Sequence, residues 1–237
     1  MFKTISTPKG TYRYKFIPIF EGIKQIDKQI ANENLKLLKE VCDKHHLTFL
    51  LYFGTLLGAV REHDFITHDE DIDLIMDKKD MPAFLSMLFD LREVGFELAR
   101  YERRGFLSII RKGEYIDMYF YQPYPEDNTL NYCCLDIWEN KYNEEIAPME
   151  FLGNIYMAPK DYTGYLEHQY GKNWNIPVQF FNYKKSRMGL LKQFIMQYVK
   201  SILPFAITER IQSRKDRPNL EKYLKRIYDK RRQQTTI

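Results

Sequence analysis

The chain has 237 residues, 44% of them hydrophobic, which is enough to bury the core of one or at most two domains. Its three cysteines show no Cys-x-x-Cys spacing, which argues against a disulfide framework and a zinc site and favours a reducing compartment. The start resembles no secretory signal, and no stretch offers the roughly 20 apolar residues of a membrane span, so we expect a cytoplasmic protein.

Helices and short strands alternate along the first 170 residues. Apolar repeats of helical period predict helices, whereas short apolar runs between charged or glycine-containing turns predict strands. The predicted helices are 23–41, 81–94 and 161–170, and the predicted strands are 48–53, 68–76, 96–101, 106–110 and 115–120, with a hairpin at 145–157. We therefore expect an α/β (α+β) fold, a mixed sheet flanked by helices.

The turn after strand 48–53 has the features of a phosphate-binding turn. Gly54 lets the backbone approach a phosphate closely, and Thr55 can cap a helix or bond the phosphate itself. A short helix is predicted from Leu56, and the free N–H groups at its start favour negative charge. Arg61 follows, where a guanidinium can neutralise a leaving diphosphate. Alone, however, such a turn is usually a helix cap and such an arginine usually a surface residue.

Three aspartates lie on two of the predicted strands. Residues two apart on a strand point the same way, so Asp71 and Asp73 share one side while Leu74 faces apolar packing. Like charges on one face repel unless a cation lies between them, and Asp is depleted in strands. Asp117 lies on the second strand. The order of glycine turn, Asp-x-Asp strand and single-Asp strand predicts a divalent-metal site that activates a hydroxyl group.

These segments resemble a known family. Residues 53–61, with the sequence FGTLLGAVR, together with Phe65-Ile66 and the acidic cluster 69–73, resemble the signature of LicD proteins, a branch of the nucleotidyltransferase-fold superfamily. That branch includes bacterial phosphocholine transferases and resembles the fukutin-type ribitol-phosphate transferases. Segments 148–159 and 165–177 resemble the downstream pattern of the family in order and spacing.

The resemblance implies transfer of a phospho-alcohol, phosphocholine or phosphoethanolamine first, from a CDP-activated donor to a sugar hydroxyl. The acceptor would be a cell-surface glycan or its lipid-linked precursor, and CMP would leave. In such a two-metal reaction, two Mg²⁺ ions, with Mn²⁺ as an alternative, would be held by Asp71, Asp73 and Asp117. Asp117 would also be available to accept the proton. Gly54 and Thr55 would seat the donor phosphate, with Arg61 helping the nucleotide to leave.

Other classes of protein use parts of the same pattern. A glycosyltransferase would bind a sugar nucleotide through Asp-x-Asp and manganese, but Gly54-Thr55 and Asp117 would then have no role. A nucleotidyltransferase would use the same three carboxylates to add NMP to a small molecule or RNA and would release pyrophosphate. A calcium-binding loop is disfavoured, because Leu74 stands where glycine is required.

The end of the chain differs in charge from the rest. Residues 1–183 carry 21 Lys and Arg against 28 Asp and Glu, whereas residues 184–237 carry 15 against 4. We interpret this as a catalytic domain at 1–185 and a basic, amphipathic helical extension at 186–237. Its apolar residues repeat at helical spacing until Pro204, which ends the predicted helix.

Three partners compete for this extension. The apolar stripe can pack on the catalytic domain, with the basic residues in solvent. Alternatively, region 188–237 can make peripheral contact with anionic lipid on the inner face of the cell membrane. Nucleic acid is not expected as a partner, because nothing in the chain resembles an RNA-reading module.

Overall fold

The computed structural model describes residues 2–19, 24–134, 136–177 and 186–235. The expected mixture of sheet and helices is confirmed, and a single 3-10 turn at 78–80 separates two of the elements. In chain order the strands and helices are β1 (Phe2–Thr7), β2 (Gly10–Lys15), α1 (Lys28–Lys44), β3 (Leu50–Leu51), α2 (Phe53–Arg61), β4 (Ile72–Asp77), α3 (Met81–Glu93), β5 (Glu97–Glu102), β6 (Phe106–Arg111), β7 (Glu114–Tyr124), β8 (Asp127–Cys133), β9 (Asp136–Glu139), α4 (Lys141–Glu144), β10 (Ile146–Phe151), β11 (Asn154–Pro159), α5 (Tyr162–Tyr170), α6 (Arg187–Ile202) and α7 (Phe205–Thr235).

A mixed sheet forms the centre of the fold. Across the described residues its strand order is β10-β11-β3-β4-β7-β6-β5, and the hairpin of β8 and β9 continues from the far end of β7. The β4–β7 pair is parallel, as is the short β11–β3 pair, while β6 and β5 follow antiparallel. Because β4 and β7 run side by side in the same direction, the two acidic strands present equivalent positions next to each other.

Apolar packing holds the acidic strand β4 in place. Its residues Ile72, Leu74 and Ile75 are fully buried, as expected for a central strand that is covered on both faces. Helices α1 and α3 pack together on the sheet, and α1 starts at Asp27, whose Oδ1 accepts hydrogen bonds from two backbone N–H groups of the first turn. This core fixes the positions of the residues that project from the end of β4.

Several boundaries differ from the sequence prediction. The strand expected at 48–53 consists only of β3, because α2 begins at Phe53, three residues before the expected start at Leu56. Helix α1 begins at its cap Asp27 rather than at residue 23, which lies outside the described ranges. The hairpin of β10 and β11 is confirmed, with positive φ angles at Leu152 and Gly153 in its turn. The hairpins β1–β2 and β8–β9 were not predicted.

Helix α7 docks on the β8–β9 hairpin. Ile227 is buried against Leu130 and Ile137, and the Arg231 guanidinium pairs with Asp127 at 3.1 Å. Nearer the start of the helix, Asp216 pairs with Arg104. The predicted division at residue 185 falls in the segment 178–185, outside the described residues, and stays a prediction. None of the helices in the described ranges combines the length and apolar character that crossing a bilayer requires.

Candidate active site

The three predicted carboxylates converge at one point of the sheet. Asp73 on β4 lies directly beside Asp117 on β7 in the parallel register, and Asp71 immediately precedes β4. One carboxylate oxygen from each of Asp71, Asp73 and Asp117 lies within 4.8 Å of the other two. Asp117 is buried, whereas Asp71 and Asp73 are partly exposed. The two strands thus bring together three acids that are 46 residues apart in sequence from first to last.

These acids destabilise one another's charge. Burial raises the pKa of Asp71, and the charges of Asp73 and Asp117 raise it further. Burial and the Asp117 charge likewise raise the pKa of Asp73, although the Gly54 N–H lowers it in part. Hard oxygen ligands that repel one another in this way suit a divalent cation such as Mg²⁺. The donor set therefore fits the expected metal.

Gly54 allows the start of α2 to approach the acidic strand. Its backbone N donates to Asp73 Oδ2 at 3.3 Å, and a Cβ at this position would lie only 2.7 Å from Asp69 Oδ2. Phe53, just before it, has a positive φ of 43°, a strained conformation for a non-glycine residue. Thr55 is buried, and its Oγ1 accepts a hydrogen bond of 2.8 Å from the Asp73 N–H. Both residues of the predicted phosphate turn thus also position Asp73.

Arg61 lies at the other end of α2. Its Nη1 donates to the Trp174 carbonyl at 3.3 Å, and its Nη2 pairs with Glu62 at 2.7 Å. Its buried Nε has no hydrogen-bond partner within the described residues. Burial raises the pKa of Asp69 to about 6, although the positive charges of His68 and Arg61 oppose this. Arg61 therefore links α2 to the backbone at Trp174, and its positive charge acts on the Asp69 carboxylate.

Arg100 is a residue of this site that sequence reasoning missed. Arg100 lies in a row of four residues that crosses the sheet. In the strand register, Arg100 on β5 is paired with Ser108 on β6, and Ser108 is paired with Asp117 on β7. Asp117 is in turn paired with Asp73 on β4. Arg100 Nη2 donates to Asp117 Oδ2 at 2.7 Å and Nε to Ser108 Oγ at 2.6 Å, while the Ser108 hydroxyl bonds Asp117 Oδ1. No local pattern signals this row, because it depends on the register of four strands.

Arg100 stays charged in this position. Burial disfavours its charge, but neighbouring groups together outweigh that cost and leave the pKa of Arg100 above its ordinary value. The largest of these contributions comes from Asp117, with smaller ones from Tyr119, Tyr115 and Asp71. The guanidinium also lies over the Phe106 ring, 4.6 Å from its centre. The site therefore contains one built-in cation for its cluster of carboxylates.

Comparison with known proteins places this site in a family. Residues 46–161 match the family model described as LicD/FKTN/FKRP, nucleotidyltransferase domain. The chain carries a nucleotidyltransferase domain of the LicD family. The matched segment contains α2, β4 and β7, and hence every predicted site residue from Gly54 to Asp117.

Curated relatives of this LicD-family chain are distant and longer. An uncharacterised protein of Rickettsia typhi is 26% identical over 141 residues, which cover 57% of this chain and 44% of the relative. The human ribitol-5-phosphate transferase FKTN is 26% identical over 170 residues, covering 67% of this chain and 36% of the relative. The chain thus spans less than half the length of the curated relatives it matches.

Solved structures with a similar outline include two antibiotic-modifying enzymes. The lincosamide antibiotic adenylyltransferase LnuA, with lincomycin bound, has a TM-score of 0.42 and 14% identity, covering 72% of this chain and 97% of its own. The antibiotic-resistance factor ANT(2'')-Ia has a TM-score of 0.46 and 9% identity, covering 89% of this chain and 100% of its own. At these TM-scores the two structures share only a general arrangement of helices and strands with this chain.

Proposed function

We propose that this LicD-family protein transfers a phospho-alcohol from a CDP-activated donor to a sugar hydroxyl and releases CMP. The observation that carries the proposal is the convergence of Asp71, Asp73 and Asp117 within the segment that matches the family. Phosphocholine and phosphoethanolamine are the first candidates for the transferred group. The acceptor in this proposal is a cell-surface glycan or its lipid-linked precursor, which would be reached from the cytoplasmic side.

The carboxylate cluster would hold the metal ions of this reaction. Asp71, Asp73 and Asp117 offer the ligands for two Mg²⁺ ions, or for Mn²⁺. When bound, such ions neutralise the phosphates of a donor and make an acceptor hydroxyl more acidic.

Asp117 is held in a fixed orientation. Each of its carboxylate oxygens accepts a hydrogen bond, one from Arg100 and one from Ser108. The carboxylate has further lone pairs that can bind a metal ion or, in the second role expected for Asp117, a proton. Arg100 is a positioning residue in this scheme.

The donor would lie over the start of α2. Gly54 gives a ligand close access to the backbone there, and its N–H and the Thr55 hydroxyl hold Asp73 at the edge of that space. Arg61 has a buried Nε without a partner in the described residues and is the proposed cation for the leaving nucleotide. The absence of a side chain at Gly54 and the buried Nε of Arg61 support a role for these two residues beside the donor phosphates. Thr55, which is buried and bonded to the Asp73 N–H, would instead act by positioning Asp73.

A donor panel tests the reaction class. Purified protein with Mg²⁺ would be incubated with CDP-choline, CDP-ethanolamine, CDP-ribitol, CDP-glycerol, UDP-sugars or NTPs, and the nucleotide products followed. CDP-ribitol belongs in the panel because the human relative is named as a ribitol-5-phosphate transferase. The proposal predicts CMP from one CDP-alcohol. Pyrophosphate from an NTP, or UDP from a sugar nucleotide, would instead establish one of the other two enzyme classes.

A further inference from the structure

Helix α6 packs on the protein with its polar face. Gln197 Nε2 donates to the Ile19 carbonyl at 3.1 Å, and the Lys200 carbonyl accepts from Lys3 Nζ at 3.1 Å. At 100° per residue, Gln193, Gln197 and Lys200 fall on one side of the helix, and they are partly buried together with Gly189 and Leu190 on the same side. This orientation is the reverse of that of an ordinary surface helix, which buries its apolar stripe.

The opposite side of α6 is a narrow apolar stripe that faces outward. We call this set the outer stripe, and at helical spacing its members fall within an arc of roughly 80°. Each is 41% or more exposed: Met188, Leu191, Ile195, Val199 and Ile202. These five side chains therefore do not pack on the catalytic domain, whereas Leu190 and Leu203 of the predicted apolar face are partly buried.

The surroundings of the outer stripe are basic. Residues 186–217 contain seven Lys and Arg but only two acids, Glu209 and Asp216. Both acids are engaged with the catalytic domain, since Glu209 accepts the Arg103 N–H at 2.6 Å and Asp216 is buried against Arg104. Lys192, which is exposed, lies beside the stripe. The region thus combines exposed apolar side chains with an excess of positive charge, although Arg217 at its end pairs with the exposed Glu221.

The junction between α6 and α7 is fixed to β5, the strand at one edge of the sheet. Phe205, where α7 begins, packs edge-to-face on Tyr101 of β5 with ring centres 5.7 Å apart. Tyr101 is the neighbour of Arg100, which bonds Asp117. A surface bound by α6 would therefore be held at a fixed place relative to the candidate active site.

We propose that the outer stripe of α6 docks on the surface of an anionic lipid bilayer. Apolar side chains on one face with cations beside them are the features of helices that lie in the plane of a membrane interface. Each nearby Lys or Arg adds electrostatic attraction to anionic lipid. Negative charge complements this region, whereas a second copy of the chain that docked through its own outer stripe would bring the same positive charge against it.

Vesicle binding by matched isoleucine variants tests the apolar part. Ile195 in the stripe is 52% exposed, and Ile155 on the β10–β11 hairpin is 53% exposed, so the same change to Glu removes equal apolar surface at two places. With vesicles of phosphatidylglycerol and phosphatidylcholine, Ile195→Glu should weaken binding about tenfold or more, and Ile155→Glu should bind as the wild type does. Thermal melting of both variants checks that the fold is kept.

A second pair of variants tests whether positive charge beside the outer stripe contributes to vesicle binding. Lys192→Glu beside the stripe should weaken binding to anionic vesicles several-fold, whereas Lys36→Glu on α1 should not, and wild-type binding should fall as salt rises. No wild-type binding to anionic vesicles would overturn the proposal, as would equal binding by Ile195→Glu. A change of oligomeric state in Ile195→Glu, in a protein that binds no vesicles, would instead assign the stripe to contacts between copies. None of these readouts requires donor turnover.

Discussion

The Arg100 guanidinium reaches across β6 to the Asp117 carboxylate, with Nη2 2.7 Å from Oδ2. Asp117 is 2% exposed and lies next to Asp73 in the parallel register of β4 and β7. A cation supplied by the protein thus neutralises one of three clustered carboxylates from behind.

Removal of the Arg100 charge should destabilise the metal-free protein. Arg100→Met leaves Asp117 buried without its cation, and breaking a buried pair in this way costs about 3 kcal/mol or more. We expect the free energy of unfolding to fall by that amount in EDTA and by clearly less in Mg²⁺. Chemical denaturation in both buffers measures the difference.

The double variant Arg100→Met/Asp117→Asn provides the control. Because it removes the uncompensated carboxylate as well, much of the lost stability should return. An equal loss in Arg100→Met and in the double variant would show that Arg100 contributes through packing on Phe106 rather than through its charge.

Gly54→Ala should disrupt the site more than the fold. The added Cβ would lie 2.7 Å from Asp69 Oδ2 and 3.3 Å from Asp73 Oδ2, so the Asp69 carboxylate must move and the Asp73 carboxylate must yield by a few tenths of an ångström. A displacement of this kind costs on the order of 100-fold in turnover. Steady-state kinetics and a melting curve measure the two effects. Asp69→Ala added to Gly54→Ala should restore part of the melting temperature, and no restoration would place the clash elsewhere.

Asp136 should make stability fall as pH rises. Burial raises the pKa of Asp136 to about 6, and the charge of Asp216 adds to this while Gln169 opposes it. The unfolded carboxyl titrates near 4, so between about pH 4 and pH 6 the unfolded state releases its proton first. Asp136→Asn should therefore stabilise the protein by about 2 kcal/mol at pH 7 and by almost nothing at pH 4. Denaturation of both proteins across this range gives the difference.

Asp127→Asn should change the pH dependence of stability in the opposite direction. Hydrogen bonds from Thr129 lower the pKa of Asp127, and the positive charge of Arg231 lowers it further. This variant should be less stable than the wild type at pH 7, and the gap should close as pH falls below 4. Parallel pH profiles for the two variants would contradict both assignments.

Arg61→Met should weaken the use of the donor more than the chemical step. The guanidinium donates to the Trp174 carbonyl, and its buried Nε has no hydrogen-bond partner within the described residues. In the proposed role, loss of the guanidinium removes a charged contact to the donor phosphates, and we expect the KM for the donor to rise about tenfold. Arg92→Met, which removes a guanidinium bonded to the Arg13 carbonyl far from the carboxylates, is the comparison. Equal KM values for the donor in the two variants would exclude Arg61 from donor binding.

Local patterns in the sequence were sufficient to predict the carboxylate cluster. Alternation along β4 places Asp71 and Asp73 on one side, and the apolar run around Asp117 identifies β7. The glycine turn was also recognised, although α2 starts at Phe53 because that residue adopts a positive φ that no propensity predicts.

Features that depend on tertiary packing escaped sequence reasoning. Arg100 joins the site only because two strand pairings, β5–β6 and β6–β7, align it with Asp117, and register is not encoded in any single strand. Periodicity identified the apolar stripe of α6 correctly, but it cannot tell which side of a helix meets the protein. The structure turns the polar side inward.

Titration with Mn²⁺ tests the central claim most directly, namely that Asp71, Asp73 and Asp117 form one divalent-metal site. Calorimetry would compare the wild type with Asp73→Asn and with Asp77→Asn, which makes the same change on the same strand outside the cluster. We expect the wild type and Asp77→Asn to bind Mn²⁺ and Asp73→Asn to lose Mn²⁺ binding. Binding by Asp73→Asn with wild-type affinity would contradict it.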